Sequence, residues 1–373
     1  MAQAARVPPL IGSGSAFLRC DGAEQVLVGR EIAVICCGIC WMPLEPRADA
    51  GQLAGMTLNI SSDDLTVTIL PRGATLNDIR LRQQNRPLVL GFRDAQDHQR
   101  IPVCAGAIVG PVANRITGGK IEIDATPYQM PLNEAGRTSL HSGPAGLHTL
   151  TWDVIEHSSS LLKLAVTLAD GDHGLPGLRR ITAQYSLEGP ILRLEMTATT
   201  DRPTPMNLAH HPYWNLGGMD IADHQLQLAA DHYLPTDAHS LPTGHIAPTS
   251  DTLFDFTEAK RIPLSPALDV NFCLSLPVTA DPAPCATLTG RDGTRLDVAT
   301  TAAGLQVYGG AFLPDRKGVL HEAKDLRPYG GIALEPQCWP DAPHQPHFPQ
   351  ITLRPDEVWQ QITTYKISPP PTS

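Results

Sequence analysis

Strict apolar–polar alternation recurs along this chain more persistently than any other pattern, and it leaves little freedom in the fold. Leu162, Leu164, Val166 and Leu168 alternate with their neighbours, as do Ile181, Ala183, Tyr185 and Leu187. Leu192, Leu194, Met196 and Ala198 repeat the pattern, with Arg193, Glu195, Thr197 and Thr199 on the facing positions, and Leu65, Val67 and Ile69 show it again. A period of two puts successive side chains on opposite sides of an extended backbone, so each run reads as a half-buried antiparallel strand. Turn signals separate the runs: Asn85-Arg-Pro, Gly118-Gly119, Glu188-Gly-Pro190 and Arg291-Asp-Gly293. Helices have little room, because 35 prolines are scattered through 373 residues and each breaks a helix interior at a cost of about 3 kcal/mol. A helical turn is expected only near His321–Leu326. The pattern predicts an all-β chain built as one large antiparallel β-sandwich across residues 56–373.

Residues 1–55 look different: rich in Ala, Gly and Cys, without a sustained period. They read as a poorly ordered extension, or as sequence upstream of a natural start at Met56. The apolar run Ile32–Trp41 follows Arg30 in the order of a secretory signal, but it lies late, and Ala48 or Ala50 matches a cleavage site only loosely. Cys37-Gly-Ile-Cys40 has metal-site spacing without the second pair that would complete a zinc site. Scattered cysteines favour a reduced, cytosolic protein. The formal charge of −10 and the lack of a basic run exclude nucleic acid as a partner. No apolar stretch reaches the roughly 18 residues of a membrane span.

Four polar clusters interrupt the strand pattern. Gly110-Pro-Val-Ala-Asn114-Arg115 delivers a long cation just before a strand, and Ser139-Leu-His141-Ser-Gly143 is a second turn. The third runs from Asn207 through His210-His211-Pro212-Tyr213-Trp214 to Leu216, and the fourth from Ile332 through Glu335-Pro-Gln337 toward His347. Pro212 biases His211 toward an extended backbone, so His210 and His211 point to opposite sides and only one can face a given pocket. Tyr213 and Trp214 form a platform on which a sugar ring can stack. Glu335 ends an apolar strand, where desolvation would raise its pKa and make it a usable acid or base. Taken singly, each has a plainer reading: a salt-bridged glutamate, a structural histidine, a surface Arg115, a loop His141, a turn-capping Asp269. Adjacent histidines do not readily share a metal, and no H-x-H spacing occurs.

Taken together and in order, these motifs resemble the aldose 1-epimerase (galactose mutarotase) family. The matching elements are Gly73-Ala-Thr-Leu, Asn114-Arg115, Leu140-His141-Ser-Gly143, His211-Pro-Tyr213-Trp214-Asn-Leu, Pro242-Thr-Gly244, Asp269-Val-Asn-Phe272 and Leu334-Glu335-Pro-Gln337, spread over residues 57–367. The resemblance implies a supersandwich with an open sugar cleft. It implies His211 as general acid and Glu335 as general base, with Asn114, Arg115, His141, Tyr213, Asp269 and Gln337 binding a free monosaccharide. No metal or redox cofactor is implied, and the chain is expected to be a monomer or homodimer. The acid–base pair is expected to start with Glu335 ionised and His211 charged.

Two positions depart from the family pattern. His210 replaces a common Asn, and Val270 a common His, and either change is expected to bear on hydroxyl recognition. Three other readings are a sugar-binding module, a hexose-6-phosphate epimerase using Arg137, Arg179 or Arg180, and a glycoside hydrolase pairing Glu335 with Asp269 or Asp341.

Overall fold

The computed structural model describes residues 56–274 and 281–371, with the backbone of three short strands nearer the N-terminus. Those three, Phe17–Cys20, Ala23–Val28 and Glu31–Val34, form an antiparallel meander within a first compact unit, Met1–Pro46. Apart from that backbone, residues 1–55 lie outside the described residues, and with them the readings of disorder, of the Cys37–Cys40 pair and of the Ile32–Trp41 run.

The second unit, Arg47–Ser373, is a β-sandwich with a nine-stranded and a six-stranded sheet. Both are antiparallel throughout, as the alternation requires. The larger sheet is centred on the four neighbours Leu161–Leu168, Arg179–Glu188, Ile191–Thr200 and Trp359–Ser368. The apolar members of these runs face inward: Leu162, Leu164, Ile181, Ala183, Tyr185, Leu192, Leu194, Met196 and Ala198 are buried, and Val166 is half-buried against them. Each fully buried Leu contributes about 1.5–3 kcal/mol of transfer free energy. The turn glycines sit where expected. Gly189 and Gly293 adopt positive φ between paired strands, and Gly118 and Gly119 do so between Arg115–Thr117 and Lys120–Ile123.

The smaller sheet runs Tyr213–Trp214, Ile332–Gln337, Gly304–Tyr308, Asp269–Cys273, His232–Leu234, Ala247–Pro248. The strand Ile332–Gln337 is covered on both sides, every one of its residues being buried, while the outer strands His232–Leu234 and Ala247–Pro248 are partly exposed. Val270, Phe272, Leu305, Val307, Ile332 and Leu334 join the same hydrophobic cluster as the inner face of the larger sheet. The opposite face therefore carries Asp269, Asn271, Gln306, Tyr308 and Glu335. Among the described residues helix is confined to single turns, one of them the expected turn at His321–Ala323. Against the expectation of no other, turns also form at Asp97–Arg100, Leu147–Thr149, Asp172–Gly174, Ile221–Asp223 and Ala342–His344, each too short to have an interior that a proline could break.

Candidate active site

Strand register brings the first site residues together. Asp269 lies opposite Tyr308, Tyr308 opposite Ala333, and Ala333 opposite Tyr213. One row along, Glu335 lies opposite Gln306, and Gln306 opposite Asn271. Opposed residues share a face, so two acids, two amides and two phenols converge on one patch. Gln306 Nε2 donates to Asp269 Oδ1 at 2.6 Å.

The second wall comes from loops held by paired hydrogen bonds. Asn114, at φ +62°, donates its N–H to His141 Nδ1 (3.1 Å), and its carbonyl accepts the His141 N–H (3.1 Å). Three successive residues, His141, Ser142 and Gly143, hold positive φ. Strain of this kind persists only where neighbours enforce it. Ser142 Oγ supplies the enforcement, accepting the Val112 N–H at 2.8 Å and donating to the Val112 carbonyl at 3.2 Å.

His211 is placed by its backbone. Its N–H donates to the Ala107 carbonyl and its carbonyl accepts the Gly106 N–H, both at 2.9 Å. Its ring stacks near Tyr213, with centroids 4.9 Å apart, and meets His141 edge-on at 5.6 Å. His211 Nε2 lies 3.5 Å from Glu335 Oε1, while His211 Nδ1 and Glu335 Oε2 are buried without partners. These groups line a cleft of about 410 Å³, within the size range of small-ligand sites. Asn114, Arg115, His141, His211, Tyr213, Asp269 and Glu335 all face it.

Gln337 is not among those walls. It is fully buried and its amide atoms have no partner in the protein. The expected aromatic pair also divides. Tyr213 faces the cleft beside Tyr308, with centroids 6.1 Å apart, whereas Trp214 is turned inward against Tyr365. Alternation along an extended segment forces that split.

It also splits the histidines. His210 is buried on the core side, with Nδ1 3.0 Å from the Tyr365 hydroxyl and Nε2 3.4 Å from that of Tyr185. Val270 is likewise in the core. Neither residue reaches the cleft, so the two departures from the family pattern change packing rather than contacts to sugar hydroxyls. Asp341 is held by the Thr117 N–H and hydroxyl and by His344, away from the cleft. Arg137, Arg179 and Arg180 are outside it too, and Arg179 is buried against the carbonyls of Gly177, Ala169 and Asp172.

The sequence did not single out Glu134, Gln306, Tyr308 or Cys104, all of which line the cleft. Gln306 left a trace, as a lone amide in the apolar strand Gly304–Tyr308. Glu134 left none, because its partner is distant in sequence.

Burial dominates the electrostatics. It pulls His211 down to about 4 and pushes Glu335 well above the usual carboxylate range, with Asp269 adding to the rise and Arg115 opposing it. Burial thus favours the neutral form of both groups, the reverse of the expected ion pair, with the shared proton on the carboxyl. Burial also raises Asp269 and lifts the Cys104 thiol to about 12.

His141, His211 and Glu335 bring one donor atom each within 4.8 Å of one another, the makings of a three-ligand metal set. The tautomer of His141 argues against it. Its Nδ1 accepts a backbone N–H, so the neutral ring carries its proton on Nε2. Metal-bound histidines usually do the reverse, donating their distal N–H and ligating with the bare nitrogen. His141 is built to donate a hydrogen bond, and burial holds it neutral.

Comparison with known proteins gives the constellation a family. The model of the aldose 1-epimerase family matches residues 56–366. A galactose mutarotase from Rattus norvegicus is 35% identical over 325 residues, covering 83% of this chain and 93% of the relative. An aldose 1-epimerase from Escherichia coli (strain K12) is 30% identical over 81% of this chain and 92% of its own length. Among solved structures, an aldose epimerase homologue from C. elegans superposes with a TM-score of 0.79 at 30% identity, covering 85% of this chain and 99% of the other. A galactose 1-epimerase from Lactobacillus acidophilus NCFM gives 0.71 at 26% identity, covering 96% and 99%. The buried pair of Glu335, on the six-stranded sheet, and His211, in the segment leading into that sheet, thus lies in a chain that belongs to the aldose 1-epimerase family.

Proposed function

We propose that Glu335 and His211 interconvert the α and β anomers of a free aldose by opening and reclosing its ring. The observation that carries this reading is the 3.5 Å approach of the two groups inside the cleft. Opening a cyclic hemiacetal requires removing the proton of the anomeric hydroxyl and protonating the ring oxygen. Glu335 accepts the first proton and His211 supplies the second. The step leaves a protonated carboxyl, a neutral imidazole and an open-chain aldehyde. Rotation about C1–C2 presents the other carbonyl face. Reclosure then runs the two transfers in reverse, so atoms and charge balance.

The neutral pair favoured by burial is the protonation state that accompanies the aldehyde. Burial of the pair therefore favours the intermediate side of the reaction, and the ion pair forms again as the ring closes. Arg115, Asp269, Gln306 and the Nε2–H of His141 are the groups available to hold hydroxyls and to polarise the ring oxygen. Relatives named for galactose make galactose the first aldose to try. A reducing, cytosolic setting belongs to the same reading, supported by four free thiols among the described residues. No helix among those residues is long and apolar enough to cross a membrane.

Polarimetry on pure α-anomers, with calorimetric binding of the same sugars, tests the assignment. Glu335→Gln is expected to keep sugar binding while kcat falls by about 10²–10⁴. Near-normal turnover in that variant would remove Glu335 from the chemistry.

A further inference from the structure

Among the described residues Arg115 is the one arginine or lysine lining the cleft, and it does not face the cleft free. Its Nε donates to Glu134 Oε2 at 2.9 Å and its Nη2 to Glu134 Oε1 at 3.1 Å, a two-point fork. The Thr138 hydroxyl donates to Glu134 Oε2 at 2.7 Å and braces the carboxylate in turn. Glu134 belongs to the segment leading into the strand Thr138–Leu140, and Leu140 of that strand pairs with Arg115 itself. The clamp is therefore built into one short pair of strands and their connection.

Two consequences follow from elementary chemistry. A bidentate fork fixes the plane of a guanidinium, which a single contact does not. Three of the five N–H groups remain to be offered, two on Nη1 and one on Nη2, and Nη1 lies 3.7 Å from Asp269 Oδ2. The fork also neutralises the cation. Glu134 and Asp269 both stand against the single guanidinium, and burial holds the cleft histidines toward the neutral form. An anionic substituent entering here meets carboxylates and an arginine that is already paired.

We propose that Glu134 is the positioning and specificity-determining residue of this cleft: it aims Arg115 at hydroxyls of neutral sugars and withholds its charge from anionic ones. The proposal rests on the reading of the cleft as an aldose site. It narrows the substrate class to uncharged aldoses and sets sugar acids and sugar phosphates outside it.

The test compares D-galactose with D-galacturonate, which differ only at C6. Binding to the full chain and to Glu134→Gln is measured by calorimetry, and mutarotation by polarimetry on the same preparations. The parent protein is expected to bind galactose at least about tenfold tighter than galacturonate. Removing one nearby charge should shrink that ratio by about three- to tenfold. Galactose KM should rise about two- to fivefold as Arg115 loosens, with kcat within about twofold, a split that general loss of structure would not produce. Glu134→Asp keeps the charge and should restore discrimination.

Should Glu134→Gln lose its native fold, the parent protein still answers. Raising NaCl from about 0.05 to 0.5 M screens the repulsion and should narrow the ratio. An unchanged ratio in folded Glu134→Gln, or one indifferent to salt in the parent, overturns the proposal while leaving the acid–base reading intact. A shifted ratio in a protein that accelerates no mutarotation overturns the acid–base reading alone.

Discussion

The two sheets of the sandwich solve opposite problems. The nine-stranded sheet has one face in the core and one toward water, and its strands alternate accordingly, as in the burial of Arg179–Glu188 and Ile191–Thr200. The six-stranded sheet is covered on both faces around Glu335: core residues on one side, and the segments bearing Arg115, Glu134 and His141 on the other. Water is thereby kept from Glu335 and His211, and the pKa displacements of both follow from that exclusion. On the proposed reading, the difference teaches that stability and chemistry are divided between the layers. The larger sheet supplies regular apolar burial, and the smaller one spends burial on polar groups that a structural sheet would avoid.

That division can be broken in several ways, taken from the largest expected effect to the smallest. In the catalytic layer, a Glu335→Gln/His211→Asn double variant should lose about as much kcat as the worse single variant, about 10²–10⁴-fold, because the two groups act as one unit. Fully additive losses, read by polarimetry, would mean that they act separately. In the structural layer, Leu194→Ala removes a fully buried side chain and should cost about 2–5 kcal/mol in chemical denaturation. Turnover per folded molecule should be unchanged.

The pH dependence sharpens the same contrast. Glu335 is already protonated at acid pH, so protonating His211 leaves the cleft without a base. The acid limb of kcat/KM should therefore lie near 4, where burial places His211, rather than near the ordinary 6.5 of histidine. At high pH the pair loses its single proton, nothing remains to protonate the ring oxygen, and activity should fall again. Stability shows the same burial. His98 and His210 are held down to about 3 and His211 to about 4, so the unfolded chain binds protons that the native state refuses. Folding stability should fall as pH drops from about 6.5 toward 3. A flat profile over that window would contradict the buried-neutral assignment. The smallest effect is expected on the outer face of the larger sheet, where Thr182 and Thr197 share a hydroxyl contact at 2.7 Å. Thr182→Ala should move stability by no more than about 0.5 kcal/mol.

The same division explains what could be read in the sequence. Strands of the larger sheet announce themselves because one face is wet, and Leu162 through Ala198 mark the core residue by residue. Glu335, His211, Asp269 and the Asn114-Arg115 pair stood out as polar interruptions in apolar surroundings. Glu134 did not, because a clamp residue is defined by a partner 19 residues away and by no local pattern. Gln337 carried the family's spacing, yet its place one pair beyond Glu335 leaves it buried outside the cleft walls. The protonation of the pair was also out of reach, since proximity alone suggests an ion pair and only the depth of burial reverses it.

His210 and His211 stand where the layers meet, adjacent in sequence and opposed in direction. His210 reaches Tyr185 and Tyr365 of the larger sheet, and His211 reaches Glu335 of the smaller. Substituting each to Asn and measuring mutarotation alongside thermal stability tests the central claim most directly. His211→Asn should lose about 10²–10⁴-fold in kcat with a native melting temperature. His210→Asn should keep kcat within about threefold while losing about 1–3 kcal/mol of stability. An active His211→Asn, or a stable His210→Asn without turnover, would contradict the assignment of chemistry to one side of this segment.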